Sequence, residues 1–327
     1  ELARTTLGSA ADTITVSSLP DKRYYMLLRN NFHSGAVRTG IRFGNSTIDT
    51  GTNYSTRRSN NGATDQTNTS ITRIVGDEDG SVIDFNVEYI ANLSGKEKLL
   101  LRHQVQQQTA GAGNAPNRLE MVGKWANTSN PIDTIQSINT ESGSFDTNSE
   151  IVVLGWDEDD THTTNFWEEL ASVDLSGGAS DDITATFTAK KYLWFQAYIT
   201  TSGDLSEQLR LGNGSVDTGS NYADRLSSDG GSDITGAPLS IVRFGDSTSN
   251  QNAFVNGFIV NNSSNEKLMI INTTYTSTGA GNAPSRRECV AKWTNTSAQA
   301  DRIQILNGQT ADGDFGTETI MKVWGSD

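Results

Sequence analysis

Histidine and cysteine are the side chains best suited to proton transfer and nucleophilic attack near neutral pH. This chain of 327 residues holds His33, His103, His162 and Cys289 and no others of either type. The sequence is duplicated at an offset of about 168 residues, and the duplication filters these candidates. His33 aligns with Thr201, His103 with Asn272, and His162 falls between the copies, so the second copy has no histidine. A Ser-His-Asp or Cys-His arrangement is confined to the first copy or absent. Cys289 stands where the first copy has Met121, which reads as a small core hydrophobe. A single cysteine also excludes a disulfide framework and a multi-Cys zinc site. Glu120 aligns with Glu288, each on the outward side of a strand beside an arginine, which reads as a solvated ion-pair partner rather than one of two glycosidase carboxylates. The clusters Asp77-Glu78-Asp79 and Asp157 to Asp160 lack the ligand spacing of a calcium loop and do not recur. The chain is therefore expected to be no enzyme, with no catalytic residues, no metal and no cofactor.

What does recur is turn chemistry. Asp49-Thr50-Gly51-Thr52-Asn53-Tyr54 returns as Asp217-Thr218-Gly219-Ser220-Asn221-Tyr222, and Lys124-Trp125 returns as Lys292-Trp293. Asn53, Tyr54, Asn221 and Tyr222 follow strands, where an exposed amide and phenol either bind a glycan or cap the turn. Trp125 and Trp293 alternate with inward residues and are expected in the core rather than on a sugar face. The loop Gly111-Ala112-Gly113-Asn114-Ala115-Pro116 returns unchanged as Gly279-Ala280-Gly281-Asn282-Ala283-Pro284. No Gly-Lys-Ser/Thr follows it, so a phosphate cradle is not indicated. Backbone geometry alone would keep the glycines and the proline. The matching Ala and Asn residues point to a contact surface, expected against neighbouring subunits rather than as an internal brace.

These residues need rigid strands to hold them. Ser and Thr make up 72 residues against 5 Pro, and apolar residues alternate with polar ones, as in Ile83, Phe85, Val87 and Tyr89. That set is read as one half-buried strand with its apolar side inward. Further strands are expected at 13–16, 24–29, 37–43, 98–105, 118–125, 132–138 and 150–154. Only Phe166 to Ala171 looks briefly helical. Eight or so strands per copy predict an all-β chain of two tandem jelly-roll-like β-sandwiches, 1–156 and 167–327, joined by a linker at 157–166.

The net charge of −14 makes a phosphate backbone an unfavourable partner. No apolar run approaches the roughly 18 residues of a membrane-spanning helix, so neither nucleic acid nor membrane insertion is expected.

The opening Leu7 to Val16 with Lys22-Arg23-Tyr24-Tyr25, the Thr50 to Tyr54 segment, and Gly143-Ser144-Phe145 leading to Glu150 to Gly155 resemble poorly characterised virion proteins of tailed bacteriophages, especially marine ones. The resemblance implies a β-sandwich structural module on the virion exterior, in a tail appendage, fibre or capsid decoration. Its expected partners are other virion proteins and copies of itself, with assembly in the host cytoplasm and no need of a leader. A glycan-binding module contacting the host surface is the alternative, and an extracellular hydrolase a further one.

Overall fold

A computed structural model describes residues 1–78, 82–157, 160–161, 165–201, 203–247, 251–276, 280–309 and 313–327. The chain is all-β and divides into two compact units. Unit 1 comprises Glu1–Gln108 and Arg118–Asn165, and unit 2 comprises Thr109–Asn117 and Phe166–Asp327. The stretch Thr109–Asn117, which the sequence places inside the first copy, is thus an element of unit 2.

Unit 1 contains β1 (Ala3–Thr6), β2 (Thr13–Val16), β3 (Tyr24–Asn31), β4 (Arg38–Asn45), β5 (Thr47–Ile48), β6 (Tyr54–Asn60), β7 (Gln66–Ile71), β8 (Ile74–Glu78), β9 (Asp84–Ala91), β10 (Lys98–Gln106), β11 (Asn117–Trp125), β12 (Thr134–Asn139) and β13 (Glu150–Trp156). Eight form one sheet in the order β1-β13-β3-β9-β10-β11-β6-β7, and the other sheet is β2-β12-β4-β5 with β8 also on β4. The strand patterns explain the layers. In β2, Ile14 and Val16 are buried while Thr13 and Thr15 are exposed, and a period of two leaves one face for the opposing sheet. Tyr25 and Leu27 of β3 meet Ile41 and Phe43 of β4 and Ile135 of β12 in one core cluster.

Unit 2 repeats this with β14 (Glu168–Asp174), β15 (Asp182–Thr186), β16 (Tyr192–Ile199), β17 (Glu207–Asn213), β18 (Ser215–Val216), β19 (Tyr222–Ser228), β20 (Ile234–Leu239), β21 (Val242–Arg243), β22 (Ala253–Val260), β23 (Lys267–Tyr275), β24 (Ser285–Trp293), β25 (Arg302–Asn307) and β26 (Ile320–Ser326). Its sheets run β14-β26-β16-β22-β23-β24-β19-β20 and β15-β25-β17-β18, with β21 on β17. Each unit is a jelly-roll-like sandwich with its own core cluster. The tight β4–β5 and β17–β18 hairpins both need glycine. A Cβ on Gly44 would lie 2.2 Å from the Thr47 carbonyl oxygen, and one on Gly212 would lie 2.1 Å from that of Ser215.

Two expectations are corrected here. Phe166 to Ala171 opens into strand β14 rather than a helix, because Glu168 to Asp174 pair with β26. The alternation in β9 is real but its inward face is the opposite one. Asp84, Asn86 and Glu88 point between the sheets, where Glu88 pairs with Arg29 at 2.6 Å and with Arg102. Arg29 also donates to the Ser137 hydroxyl of the other sheet at 2.8 Å. The acidic linker is partly tied down, since Asp157 accepts from the Arg23 amide at 2.5 Å and Lys22 pairs with Asp157 at 3.5 Å and with Asp160. Its residues 158, 159, 162, 163 and 164 lie outside the described ones, as do Asp79 and Gly279.

Candidate functional site

Of the groups with catalytic potential, His33 and Cys289 have buried side chains, whereas His103, Glu120 and Glu288 are half-buried. His33 Nε2 lies 2.8 Å from Asp84 Oδ2, but both side chains are fully buried inside unit 1 against Phe145. Burial opposes ionisation of Asp84, yet His33, Arg29 and Asn31 hold its carboxyl below the usual range. Cys289 is buried within the unit 2 core. Glu120 and Glu288 pair with Arg118 and Arg286 on their own strands. Among the described residues no group of three or more His, Cys, Asp or Glu is arranged to hold a metal ion.

The repeated Asp-Thr-Gly segment builds a corner, the same in both units. Asp49 accepts from the Gly51 amide (2.8 Å), Asn53 Nδ2 (2.8 Å) and Trp125 Nε1 (2.7 Å). Asp217 accepts from Gly219 (2.8 Å), Asn221 (2.9 Å) and Trp293 (2.7 Å). Burial opposes the charge on each, but these donors outweigh it and both carboxyls titrate below their ordinary range. Of the two readings left open for Tyr54 and Tyr222, glycan contact is corrected in favour of the turn cap. Both rings are fully buried, and their hydroxyls donate to the carbonyls of Phe43 or Asp49 and of Leu211 or Asp217. The amides of Asn53 and Asn221 are spent on the same corner. Trp125 and Trp293 lie in the two cores, as their spacing indicates.

The six-residue loops differ. In the first, the Gly111 amide donates to Glu266 Oε1 at 2.5 Å, Arg225 Nε donates to the Pro116 carbonyl at 2.8 Å, and Lys292 Nζ donates to the Thr109 carbonyl at 2.5 Å. Gly111 to Pro116, expected at a contact between subunits, makes these hydrogen bonds within unit 2 of its own chain. Pro116 is buried, Gly111, Ala112 and Ala115 are half-buried, and Gly113 and Asn114 are exposed. Ala280, Gly281, Asn282, Ala283 and Pro284 of the second loop are all exposed.

Sequence reasoning missed an apolar groove of about 760 Å³ on the outer face of the larger sheet of unit 1. Trp156 sits opposite Tyr24 across β13 and β3, their rings stacked at 5.8 Å. Tyr89 is opposite Leu101, and Ala91 opposite Leu99, across β9 and β10. Val122 on β11 is opposite Arg57 on β6. Leu99, Leu101 and Val122 remain 57%, 42% and 49% exposed. Arg57 and Lys124 stand at the rim, paired with Asp65 at 3.3 Å and Glu97 at 2.9 Å. The lining also includes the hydroxyl-bearing residues Tyr24, Tyr89, Ser55, Thr67 and Thr69. The groove combines apolar area with two rim cations.

No protein-family model matches this chain, and no curated protein matches it. Among solved structures it is similar to the LG1-3 region of the laminin α2 chain, at 8% identity and a TM-score of 0.23, covering 96% of this chain and 64% of that one. It is also similar to domains LG4-5 of the mouse laminin α1 chain, at 9% identity and a TM-score of 0.18, covering 99% and 91%. The chain thus spans less than two thirds of the laminin α2 fragment.

Proposed function

We propose that this protein is a non-enzymatic structural component that works through protein–protein contacts, with the groove on unit 1 as its principal seat. The observation that carries the reading is a contiguous apolar surface of Tyr24, Tyr89, Leu99, Leu101, Val122 and Trp156 left in water on an otherwise acidic, hydroxyl-rich chain. Exposed apolar area of this kind is costly unless covered by a partner. The sequence resemblance to phage virion proteins supplies the setting, the exterior of a particle assembled in the host cytoplasm.

The reading is tested by labelling intact particles with antibody raised against the chain, alongside a glycan array. Labelling of the particle surface and a silent array support it. Unlabelled particles overturn the virion setting. Glycan binding abolished by Asn53→Ala or Asn221→Ala overturns the non-glycan reading in favour of a receptor-binding module.

A further inference from the structure

We propose that the groove on unit 1 receives the second loop, through Ala280–Pro284, of another copy of this chain, so that the protein assembles head to tail. The inference rests on the protein-contact reading above and names the partner.

The chain already displays the contact once. Arg57, Asp65, Glu97 and Lys124 around the groove of unit 1 align with Arg225, Asp233, Glu266 and Lys292 of unit 2. In unit 2 three of these residues hold the segment Thr109 to Pro116, with Arg225 on the Pro116 carbonyl, Glu266 on the Gly111 amide and Lys292 on the Thr109 carbonyl, while Asp233 pairs with Arg225. Their ion pairs are shielded accordingly. The Lys292–Glu266 side chains are 0% and 5% exposed, whereas Lys124–Glu97 are 43% and 41%. The floor follows the same contrast, for Leu268, Ile270 and Val290 are buried where Leu99, Leu101 and Val122 are exposed. Unit 1 thus presents the same receptor open to solvent, and the second loop repeats the same six-residue sequence, of which Ala280 to Pro284 are exposed. Since both are exposed in one chain, the loop that fills the groove comes from a second copy. Donor and acceptor are different surfaces, so the contact is heterologous and either closes into a ring or propagates as a filament.

The test uses the full chain. Sedimentation velocity up to about 100 µM is run on wild type, on the groove variant Leu99→Glu/Val122→Glu and on the loop variant Ala280→Arg/Ala283→Arg. All four positions are exposed, and circular dichroism verifies that each variant is folded. Expected are concentration-dependent oligomers of wild type, monomers of each variant with association weakened at least about tenfold, and a dimer that grows no further when the variants are mixed. A labelled peptide covering residues 276–286 should bind wild type and the loop variant but not the groove variant. A loop variant that assembles like wild type while the groove variant does not would overturn the inference and leave the protein-contact reading standing with another partner. Monomeric wild type, or peptide binding indifferent to the groove substitutions, also overturns the inference.

Discussion

The interiors of the two units solve one packing problem with opposite chemistry. Between the sheets of unit 1 lie Arg29, Glu88 and Arg102, all fully buried, with Ser137 facing them. The aligned positions of unit 2 are Ala197, Gly257, Ile271 and Ile305, with Phe195 in place of Leu27. Removing the Glu88 side chain to a glycine lets the larger ring occupy its space. A Cβ on Gly257 would come within 2.2 Å of Phe195 Cε1. Burial opposes the charge of Glu88, but Arg102 and Arg29 outweigh it and keep the carboxylate ionised. Burial likewise pulls Arg102 down to about 10, which leaves it protonated at neutral pH. A sandwich core therefore accepts a buried ionic set or an apolar plug in its place. It does not accept half of either, because a lone buried charge has no partner to offset its lost hydration.

The largest effect should come from breaking the ionic set. Glu88→Ala leaves two buried guanidinium groups facing one another, and unit 1 should lose about 3–5 kcal/mol, read by urea denaturation of the full chain. Leu27→Phe/Arg29→Ala/Glu88→Gly/Arg102→Ile/Ser137→Ile transplants the other unit's solution and should recover most of that loss. If it remains as unstable as Glu88→Ala, the two interiors are not interchangeable. Next in size is Gly257→Ala, which drives a methyl group into Phe195. It should cost about 1–3 kcal/mol, with hydrogen exchange accelerated in β16 and β22 and unchanged in β3 and β9.

Acid separates the units in a third way. Glu88 and Asp84 have folded pKa values below their unfolded ones, so their contribution is present above the unfolded carboxyl range and lost as pH falls through the folded values. The aligned residues Gly257 and Ala253 do not titrate. Amide protection in β9 and β10 should therefore fall before that in β22 and β23 as pH drops below about 4. Simultaneous loss in all four strands would show that the common corner carboxylates dominate. That corner should not discriminate between the units at all. Asp49→Ala and Asp217→Ala each orphan a buried indole N–H and should cost a similar amount, about 1–3 kcal/mol. The smallest change is expected at the open groove rim, where Lys124→Met removes an exposed ion pair and should move stability by less than about 0.5 kcal/mol. Its counterpart Lys292→Met strips a donor from a buried loop contact and should cost visibly more in the same melting experiment.

Much of the architecture could be read from the chain because strand alternation and internal duplication are local signals. The facing of β9 could not. Phe85, Val87 and Tyr89 look like a core stripe, since burying Asp84, Asn86 and Glu88 contradicts the usual partition of polar residues. The usable signal was the second copy, in which 253, 255 and 257 are Ala, Val and Gly while 256 is Asn. The groove was hidden for a related reason. Leu99-Leu100-Leu101 and Tyr24-Tyr25 are apolar on both sides of their strands, which marks a sheet with two faces to cover. The repeated corner left two readings open. Nothing in Asn53-Tyr54 distinguishes a phenol in water from one donating inward, a matter decided by the reach of the ring back to Phe43.

Because Thr109–Asn117 is hydrogen-bonded to Arg225, Glu266 and Lys292 of the same chain, its seating is governed by effective concentration rather than by the amount of protein present. Dilution cannot dissolve it. A seat filled by tethering stays filled in a single molecule at any titre, whereas an identical seat supplied from another molecule empties once the concentration falls below the dissociation constant. In the proposed assembly the chain carries one permanent and one conditional version of the same contact, and only the second reports how crowded its surroundings are.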